Sequence, residues 1–382
     1  MPCHHCGGAF TLTMKKDIKQ IVLTGGPCAG KTTALVRIND YLSGLGYKVF
    51  IVPEIPTMVT ASGWSYLTDN HDFYYEGEKI ILELQLEMED KMRRLAETCT
   101  EPCVIVCDRG ALDISAYISA EMYDELCASC HTNAEELRHG GRYDAVLHLV
   151  SAADGAESFY TTANNASRYE KADEAGLNMA RQLDKKVIQA WTGHPHLRVI
   201  DNRKDFEQKL NRVLYEINSV LGLPQAIVEE RKYIVELIGE LPSDCIESHI
   251  QQTYLSSEPG SEVRIRRRVT GNHTINIHTT RRRISSNEEV VTERQVTNAL
   301  YETLLLQADP YRHTISKQRK SFIAGGQFFE LDTYEAPHEG LMILETKGIA
   351  SHDDLLLPPF LKIVKDITGD TDFYNYNLAL RK

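Results

Sequence analysis

The residues with the clearest chemistry lie between Gly25 and Thr33, which read Gly-Gly-Pro-Cys-Ala-Gly-Lys-Thr-Thr. An apolar run typical of a buried strand precedes them, and an amphipathic helical pattern follows. Such a glycine-rich turn lets backbone N–H groups surround an anion, and the helix N-terminus favours negative charge. In the pattern G-x-x-x-x-G-K-T, Lys31 can reach the outer phosphates of a nucleotide and the Thr32 hydroxyl can bind Mg²⁺. The predicted nucleotide-binding residues are Gly25, Gly26, Pro27, Cys28, Ala29, Gly30, Lys31, Thr32 and Thr33.

Two further polar positions are expected near this loop. Asp108 ends an apolar run, where a phosphate-loop protein places a second Mg²⁺ contact or a catalytic base. Asn202 follows a later apolar run, and Asn202-Arg-Lys-Asp205 partly matches the guanine-reading pattern N-K-x-D, with its lysine displaced by one. Apolar runs that alternate with helical patterns predict an α/β domain with a parallel sheet and helices on both faces. Ligands of such a sheet bind at the carboxyl ends of its strands.

The polar, aperiodic segment 153–168 has the composition of a mobile lid. In nucleotide kinases an arginine of such a segment closes on the phosphates, so Arg168 joins Asp108 as a candidate catalytic residue. A solvated loop arginine is an equally good interpretation of Arg168.

A different pattern begins near residue 223, where the helical period gives way to charges on alternate residues. Period two places each set of charges on one face of its strand. One such strand would be the solvated face of an antiparallel sheet. If the sheet closes into a barrel, these mostly cationic faces converge inside it and require an anion to neutralise them. The predicted anion-binding residues are Glu230, Lys232, Arg264, Arg266, Arg268, Arg281, Arg283, Lys317, Arg319, Glu345 and Lys347.

The length, composition, net charge and cysteine count of the chain limit the classes of protein to which it can belong. A chain of 382 residues, 42% apolar and 25% charged, is expected to form two globular domains. Its net charge of −12 argues against nucleic acid as a partner. Nine scattered cysteines indicate reduced thiols and a cytoplasmic protein. No apolar run is long enough to span a membrane, so any membrane contact would be peripheral.

The expected division of the chain has three parts. Residues 1–17 are predicted to be a disordered leader, which we favour over a metal site at Cys3-His4-His5-Cys6 because no second ligand pair lies near. Residues 18–222 form the nucleotide-binding domain. Residues 226–382 form the anion-binding domain.

Each domain resembles a known family. Residues 18–222 resemble the ribosylnicotinamide-kinase type of phosphate-loop domain, through residues 25–33, Val-Pro-Glu at 52–54, Cys-Asp-Arg-Gly at 107–110 and Val-Ile-Asp-Asn at 199–202. Residues 226–382 resemble the CYTH superfamily, whose members are antiparallel tunnels that bind triphosphate-like ligands. The matching stretches are E-R-K-Y-I-V at 230–235, Q-Q-T-Y-L at 251–255, R-I-R-R-R at 264–268, I-S-K-Q-R at 315–319, F-E-L-D-T-Y at 329–334 and G-L-M-I-L-E-T-K at 340–347.

The departures from the CYTH pattern affect catalysis. Catalytic members begin with E-x-E-x-K and carry a later E-x-E, and these carboxylates hold divalent metals. Here Val228 precedes Glu230 and Lys232, and the later pair is Glu345 with Lys347. Because metal-assisted phosphoanhydride hydrolysis needs acidic ligands, the second domain is expected to bind an anion without cleaving it.

The order of the two domains resembles the TRPL translocation defect protein family. That resemblance implies a regulator of membrane-protein trafficking that binds GTP, or ATP, with Mg²⁺ held by Thr32 and Asp108. It also implies an anionic phospholipid head group, such as a phosphoinositide or phosphatidic acid, or another polyphosphate, in the second domain. Whether the nucleotide is hydrolysed stays open. One alternative is a small-molecule kinase in which Asp108 activates a hydroxyl and Arg168 steadies the phosphoryl group, and another is a CYTH triphosphatase.

Overall fold

The computed structural model describes residues 17–160, 174–226, 231–285, 288–325, 327–346 and 355–381. Five predictions concern residues outside these ranges: the leader up to residue 16, the lid arginine Arg168, and the roles of Val228, Glu230 and Lys347.

The first domain contains a five-stranded parallel sheet in the order β2-β3-β1-β4-β5. Every neighbouring pair is parallel, as the alternation of strand and helix patterns predicts. The strands are β1 (Lys19–Thr24), β2 (Lys48–Val52), β3 (Cys103–Asp108), β4 (Ala145–Leu149) and β5 (Leu197–Ile200).

Helices cover both faces of this sheet. Their ranges are α1 (Lys31–Gly44), α2 (Ile55–Ala61), α3 (His71–Glu97), α4 (Ala120–Ser129), α5 (Ala134–His139), α6 (Glu174–Trp191) and α7 (Phe206–Leu221). A hydrophobic core lies on each face of the sheet, and successive residues of β1 point into one core and then the other. Ile21 and Leu23 pack with α1 and α7, whereas Val22 packs with α3, α4 and α6.

The second domain is built on a ten-stranded sheet in which every neighbouring pair is antiparallel. The order is β15-β7-β14-β13-β12-β8-β9-β10-β11-β6. The strands are β6 (Gln225–Ala226), β7 (Arg231–Leu237), β8 (Ile246–Leu255), β9 (Ser261–Thr270), β10 (His273–Arg283), β11 (Glu288–Val296), β12 (Ile315–Ala324), β13 (Gln327–Ala336), β14 (Met342–Thr346) and β15 (Leu361–Asp366). Two short helices, α8 (Asn298–Leu305) and α9 (Asn375–Leu378), accompany them.

One face of this sheet collects the alternating charges. The registers that pair Arg268 with Ile250, Ile250 with Lys317 and Arg319 with Asp332 place these side chains on a common face, which we call the inner face. Arg268 on β9 interacts electrostatically with Glu330 on β13, three strands away. A flat sheet would separate them by roughly 14 Å, so the sheet curves around its inner face. Among the described residues, pairing between the edge strands β15 and β6 is absent, so hydrogen bonds do not close the predicted barrel.

The two domains contact each other through the amino-terminal edge of the parallel sheet. Lys19, the first residue of β1, reaches the backbone oxygen of Glu293 on β11 at 3.5 Å. His196, just before β5, lies 3.2 Å from the Glu293 carboxylate. The phosphate loop lies at the opposite, carboxyl-terminal edge of the same sheet, because it follows β1 directly.

Candidate functional site

The loop between β1 and α1 has the backbone that the glycine pattern predicts. Gly25 has φ +144°, and a Cβ there would lie 2.1 Å from the Leu149 carbonyl oxygen. Gly30 has φ +88°, and its Cβ would lie 2.6 Å from the Phe206 ring. Both positions therefore require glycine for conformation and for space. The resulting turn delivers the chain into α1 at Lys31 with the helix N-terminus directed at the loop.

Lys31 folds back over this loop. Its ammonium donates to the carbonyl oxygens of Gly25 and Gly26 at 3.0 and 3.2 Å. Burial and the neighbouring Arg109 cation lower the pKa of Lys31 to about 8. The carboxylates of Glu54, Asp108 and Asp113 oppose this shift without cancelling it. The direct hydrogen-bond partners of the Lys31 ammonium in the described structure are neutral carbonyl oxygens, so a phosphate oxygen would stabilise its charge further.

Three charged residues from the carboxyl ends of β2 and β3 lie close to Lys31. The Arg109 guanidinium donates to Glu54 at 2.6 Å and reaches the Gly25 carbonyl oxygen at 3.4 Å. Burial opposes ionisation of Glu54, but Arg109 and Lys31 outweigh it and lower the pKa of Glu54 to about 2. Burial raises the pKa of Asp108, whose Oδ1 is buried without a hydrogen-bond partner among the described residues. An unpartnered carboxylate oxygen at this edge is available to a ligand or a cation.

Sequence reasoning missed the residues that support the loop from behind. The Asp184 carboxylate accepts the Gly26 N–H at 2.6 Å, and the Lys209 ammonium donates to the Ala29 carbonyl oxygen at 3.0 Å. Asp184 comes from α6 and Lys209 from α7, far from the loop in sequence. Both fall on otherwise apolar helix faces, where a single charge is the available signal for a buried, paired role.

The predicted base-reading residue Asn202 is engaged inside the protein. Its amide donates to the Ser151 and Asp154 carbonyl oxygens at 2.7 and 2.8 Å, and its oxygen accepts from Lys209 at 2.7 Å. These bonds tie the end of β5 to the loop after β4. The nucleotide contact of Asn202 stays a prediction.

A cavity of about 1400 Å³ opens over the loop and the carboxyl ends of the strands. Most of the predicted phosphate-loop residues line it, and Asp108 and Asn202 line it too. It extends to the Glu78 carboxylate, which is buried, has one oxygen without a hydrogen-bond partner in the described chain, and has a pKa raised to about 7 by burial. The predicted loop residues on its wall are Pro27, Cys28, Ala29, Gly30, Lys31, Thr32 and Thr33.

Half of the inner face of the second domain neutralises itself. The Arg319 guanidinium donates to both Asp332 oxygens at 2.6 and 2.7 Å and to Glu345 at 3.1 Å, and it forms an ion pair with Glu330 at 2.7 Å. Lys317 pairs with Asp332 at 2.5 Å. The expectation of an almost purely cationic face is wrong here, because Glu330 and Asp332 on β13 stand opposite the cations of β12.

Lys232 and Glu345 belong to the same network. They lie opposite each other on β7 and β14 and form an ion pair at 3.0 Å. Nearby Lys232, Arg319 and Lys317 hold the pKa of Glu345 well below its ordinary value, despite burial. These groups therefore satisfy one another without an added anion.

The other half of the inner face is cationic and incompletely paired. We call Arg264, Arg266 and Arg268 on β9 the arginine row. Their nearest carboxylate on β11 is Glu293, at 3.8 Å from Arg264 and 3.9 Å from Arg266. Within the described residues, Arg264 Nε, Arg266 Nε and Arg268 Nη2 are buried and lack hydrogen-bond partners. Burial lowers the pKa of Arg268 to about 10, as expected of a guanidinium with too little negative charge around it.

The last two predicted cations lie at the end of this row. Arg281 is level with Glu262 of β9 and 3.6 Å from Glu289, and Arg283 is the last residue of β10. Both are accessible to solvent, so they extend the row to the surface.

Two classes of feature are absent from the described residues. They contain no cluster of three or more His, Cys, Asp or Glu side chains arranged to hold a metal ion. Nor do they include a helix of the length and apolarity needed to cross a membrane.

A comparison with known protein families supports the assignment of the first domain as a phosphate-loop domain. The family model described as an AAA domain matches residues 20–209, from β1 into α7. The comparison with curated proteins gives no match.

Three solved structures that are similar to this chain each align with less than half of it. The inorganic triphosphatase NE1496 is 25% identical, with 41% of this chain and 97% of that chain covered and a TM-score of 0.31. A structure described as the hypothetical protein NE1496 is 24% identical, with 40% and 99% covered and a TM-score of 0.30. The PH1819 protein from Pyrococcus horikoshii OT3 is 18% identical, with 33% and 80% covered and a TM-score of 0.24.

The strand pairings establish the architecture directly. The chain combines a phosphate-loop α/β domain with a second domain built on an antiparallel sheet.

Proposed function

We propose that this protein is a nucleotide-controlled membrane adaptor, which binds GTP with Mg²⁺ in the first domain and an anionic phospholipid head group in the second. The observation that carries the proposal is the presence of two separate, under-compensated cationic sites. Lys31 rests on neutral carbonyl oxygens at one edge of the parallel sheet, and the arginine row keeps three unpartnered N–H groups beyond the other edge.

In the first site, the loop N–H groups and Lys31 bind the phosphates. The Thr32 hydroxyl and the unpartnered Asp108 oxygen line one cavity and fit a hard cation that prefers oxygen ligands, so they would hold Mg²⁺. When bound, Mg²⁺ neutralises phosphate charge. The choice of guanine rests on the family resemblance and on the position of Asn202, Lys204 and Asp205 on the cavity wall.

In the second site, the arginine row binds the phosphate of the head group, because guanidinium N–H groups suit phosphate oxygens. The ion pairs around Arg319 fill the other half of the inner face and leave it closed to an added anion. A role in membrane-protein trafficking follows from the resemblance to the TRPL translocation defect protein family.

Titration calorimetry with GTP and ATP tests the first site, with Lys31→Ala as the reference for lost binding. Tighter binding of GTP supports the proposal, and equal affinity for the two nucleotides refutes the guanine assignment.

Co-sedimentation with vesicles of phosphatidylcholine, with and without phosphatidic acid, tests the second site. We expect Arg266→Ala/Arg268→Ala to lose binding to the anionic vesicles. Lys362→Ala, which removes an exposed cation of β15, is the matched control and should bind as the unaltered protein does. Indifference of the unaltered protein to anionic lipid would exclude this function.

A second candidate function is phosphoryl transfer to a small molecule. The cavity continues past the phosphate loop to Glu78, Tyr66 and Gln85. Asp108 and Glu78 both line it, and each has one buried carboxylate oxygen that lacks a hydrogen-bond partner among the described residues. These groups suit a second ligand rich in hydroxyl or N–H donors. Transfer of the terminal phosphate to nicotinamide riboside, lost in Asp108→Asn, would favour the kinase.

A further inference from the structure

The two ends of the arginine row differ, and the first domain closes one of them. Arg268 lies at this end, where it acts electrostatically on His139 and His194 of the first domain. The His139 ring is 6.0 Å from the ring of His273, the first residue of β10. Helix α5, which ends at His139, contacts β10. A phosphorylated group attached to a bilayer cannot approach the row through this contact between domains.

The opposite end of the row carries loops of the second domain, and contact with the first domain there is made through Glu293, which is level with Arg264 and lies 3.2 Å from His196. Arg264 lies at this end, level with Tyr254 near the end of β8 and with Thr279 of β10. The inner-face positions beyond it are Arg281 and Arg283, which continue to the surface. An anion that enters here meets Arg283 and Arg281 before it reaches Arg264. The carboxylates of Glu289, Glu262 and Glu293 lie beside this path and partly offset its positive charge.

Exposed apolar side chains lie at this same end. The segment after α8 passes the end of β8, because the Ser256 N–H donates to the Gln307 carbonyl oxygen and the Asp309 N–H donates to that of Tyr254, both at 2.9 Å. In this segment the Leu306 side chain is 87% exposed and the Tyr311 side chain is 76% exposed.

The β10–β11 turn lies at the same end of the sheet and adds an exposed apolar side chain and two exposed cations. Ile284 is about half exposed, and the preceding Arg282 and Arg283 are exposed as well. We call Leu306, Tyr311 and Ile284, together with Arg282 and Arg283, the entry rim.

We propose that the entry rim is the surface that docks on an anionic phospholipid bilayer, with Leu306 and Tyr311 inserted among the lipids and Arg282 and Arg283 against the phosphates. This inference rests on the proposed function, since it gives the route by which a lipid head group reaches the arginine row. Single aliphatic and aromatic residues on loops, flanked by arginines, suit a membrane interface, where apolar side chains enter the acyl boundary and cations meet phosphate. The continuity of the rim with Arg281 and Arg264 favours lipid over a protein partner.

The test compares three full-length proteins: unaltered, Leu306→Glu/Tyr311→Glu, and the control Leu356→Glu. Leu356 is 55% exposed and lies beside Gly325. Gly325 belongs to the turn between β12 and β13, which is at the other end of the same sheet. All three substitutions are at exposed positions, so the proteins should unfold at similar temperatures. Binding is measured by co-sedimentation with phosphatidylcholine vesicles that contain phosphatidic acid, and by calorimetry with soluble inositol hexakisphosphate.

We expect the double variant to lose vesicle affinity by about tenfold or more, because it forgoes the burial of two apolar side chains. Its affinity for inositol hexakisphosphate should be unchanged, since the arginine row is intact, and the control should match the unaltered protein in both assays. Equal vesicle binding by the double variant would overturn the entry rim and leave the proposed function standing. Failure of the unaltered protein to bind vesicles would overturn both. A change in self-association, seen by light scattering, as the only effect of the double substitution would overturn the entry rim alone.

Discussion

At the scale of single residues, the buried cations of the two domains fall into two groups, which differ in how fully neighbouring groups compensate their charge. Lys31 donates to neutral carbonyl oxygens, and the arginine row has buried N–H groups that lack hydrogen-bond partners among the described residues. Arg319, in contrast, contacts three carboxylates, those of Asp332, Glu330 and Glu345. Incomplete compensation of a buried charge indicates a ligand site, and complete compensation indicates a structural role. This distinction yields the first two predictions.

Nucleotide affinity should depend on pH through Lys31. The pKa of Lys31 is about 8 in the free protein, and bound phosphate raises it, so binding takes up a proton above that pH. We expect an affinity that is constant below pH 8 and falls by up to about tenfold per pH unit above it. Calorimetry between pH 7 and pH 9.5 measures this, and a flat profile would contradict it.

Removal of the Arg319 guanidinium should destabilise the protein strongly. Arg319→Met leaves Asp332 and Glu330 buried without their main partner, at a cost of about 3–5 kcal/mol. The control Lys362→Met breaks an exposed ion pair with Glu236 at 3.1 Å and should cost less than about 1 kcal/mol. Urea denaturation followed by circular dichroism compares the two, and similar losses would show that the network adds little.

The same network predicts sensitivity to acid. Despite burial, Arg319 and Lys317 lower the pKa of Asp332 in the folded state, and the pKa of Glu345 is lowered too. Their contribution is complete above the unfolded-state values near pH 4 and is lost as the pH falls through the folded-state values. The unfolding free energy of the unaltered protein should therefore drop below pH 4, and Arg319→Met should flatten this part of its pH profile.

At the scale of elements, backbone geometry at the loop is as decisive as its charges. Gly25→Ala would force a strained φ and place Cβ against the Leu149 carbonyl oxygen. Gly46→Ala is a matched control, because Gly46 has φ +83° but open space around it. We expect Gly46→Ala to cost about 1–2 kcal/mol for the left-handed conformation, and Gly25→Ala about 1–3 kcal/mol more for the overlap. Thermal unfolding gives the difference, and equal losses would show that the loop can relax.

Local patterns predicted many elements because those elements are locally encoded. Helix α7 is an example, because its apolar residues recur at helical spacing, Asp205 is its N-cap and Gly222 takes the left-handed conformation after its end. The charges on β13 were available in the sequence at Glu330 and Asp332. Their significance needed the register with β12, which strand patterns alone do not give.

The hydrogen bonds that Asp184 and Lys209 make to the phosphate loop could not be predicted from local sequence patterns. Asp184 and Lys209 reach Gly26 and Ala29 across more than 150 residues, through the packing of α6 and α7 on the sheet. Nothing local to either helix specifies that contact. The same holds for Glu293, whose partners lie in both domains.

At the scale of the whole molecule, Glu293 connects the arginine row to the first domain. It lies beside Arg264 and Arg266 and also contacts His196 and Lys19 of the first domain. Its carboxylate lies where an entering anion would bind, and it offsets part of the positive charge of Arg264 and Arg266.

Glu293→Gln should therefore bind soluble inositol hexakisphosphate about three- to tenfold more tightly, because one opposing charge near the arginine row is gone. Glu289→Gln, which alters only the partner of Arg281 near the surface, should change the affinity less. Calorimetry at several salt concentrations measures both variants. Weaker binding by Glu293→Gln would mean that Glu293 positions the arginines and does not compete for them.

The domain contact lies at one edge of the parallel sheet and the phosphate loop at the other, separated by the six residues of β1, roughly 20 Å. When the entry rim rests on a bilayer, the nucleotide cleft consequently points into the surrounding solution. Nucleotide could then exchange, and a regulatory protein could approach the cleft, while the molecule stays anchored. Neither event would be hindered by the lipid surface.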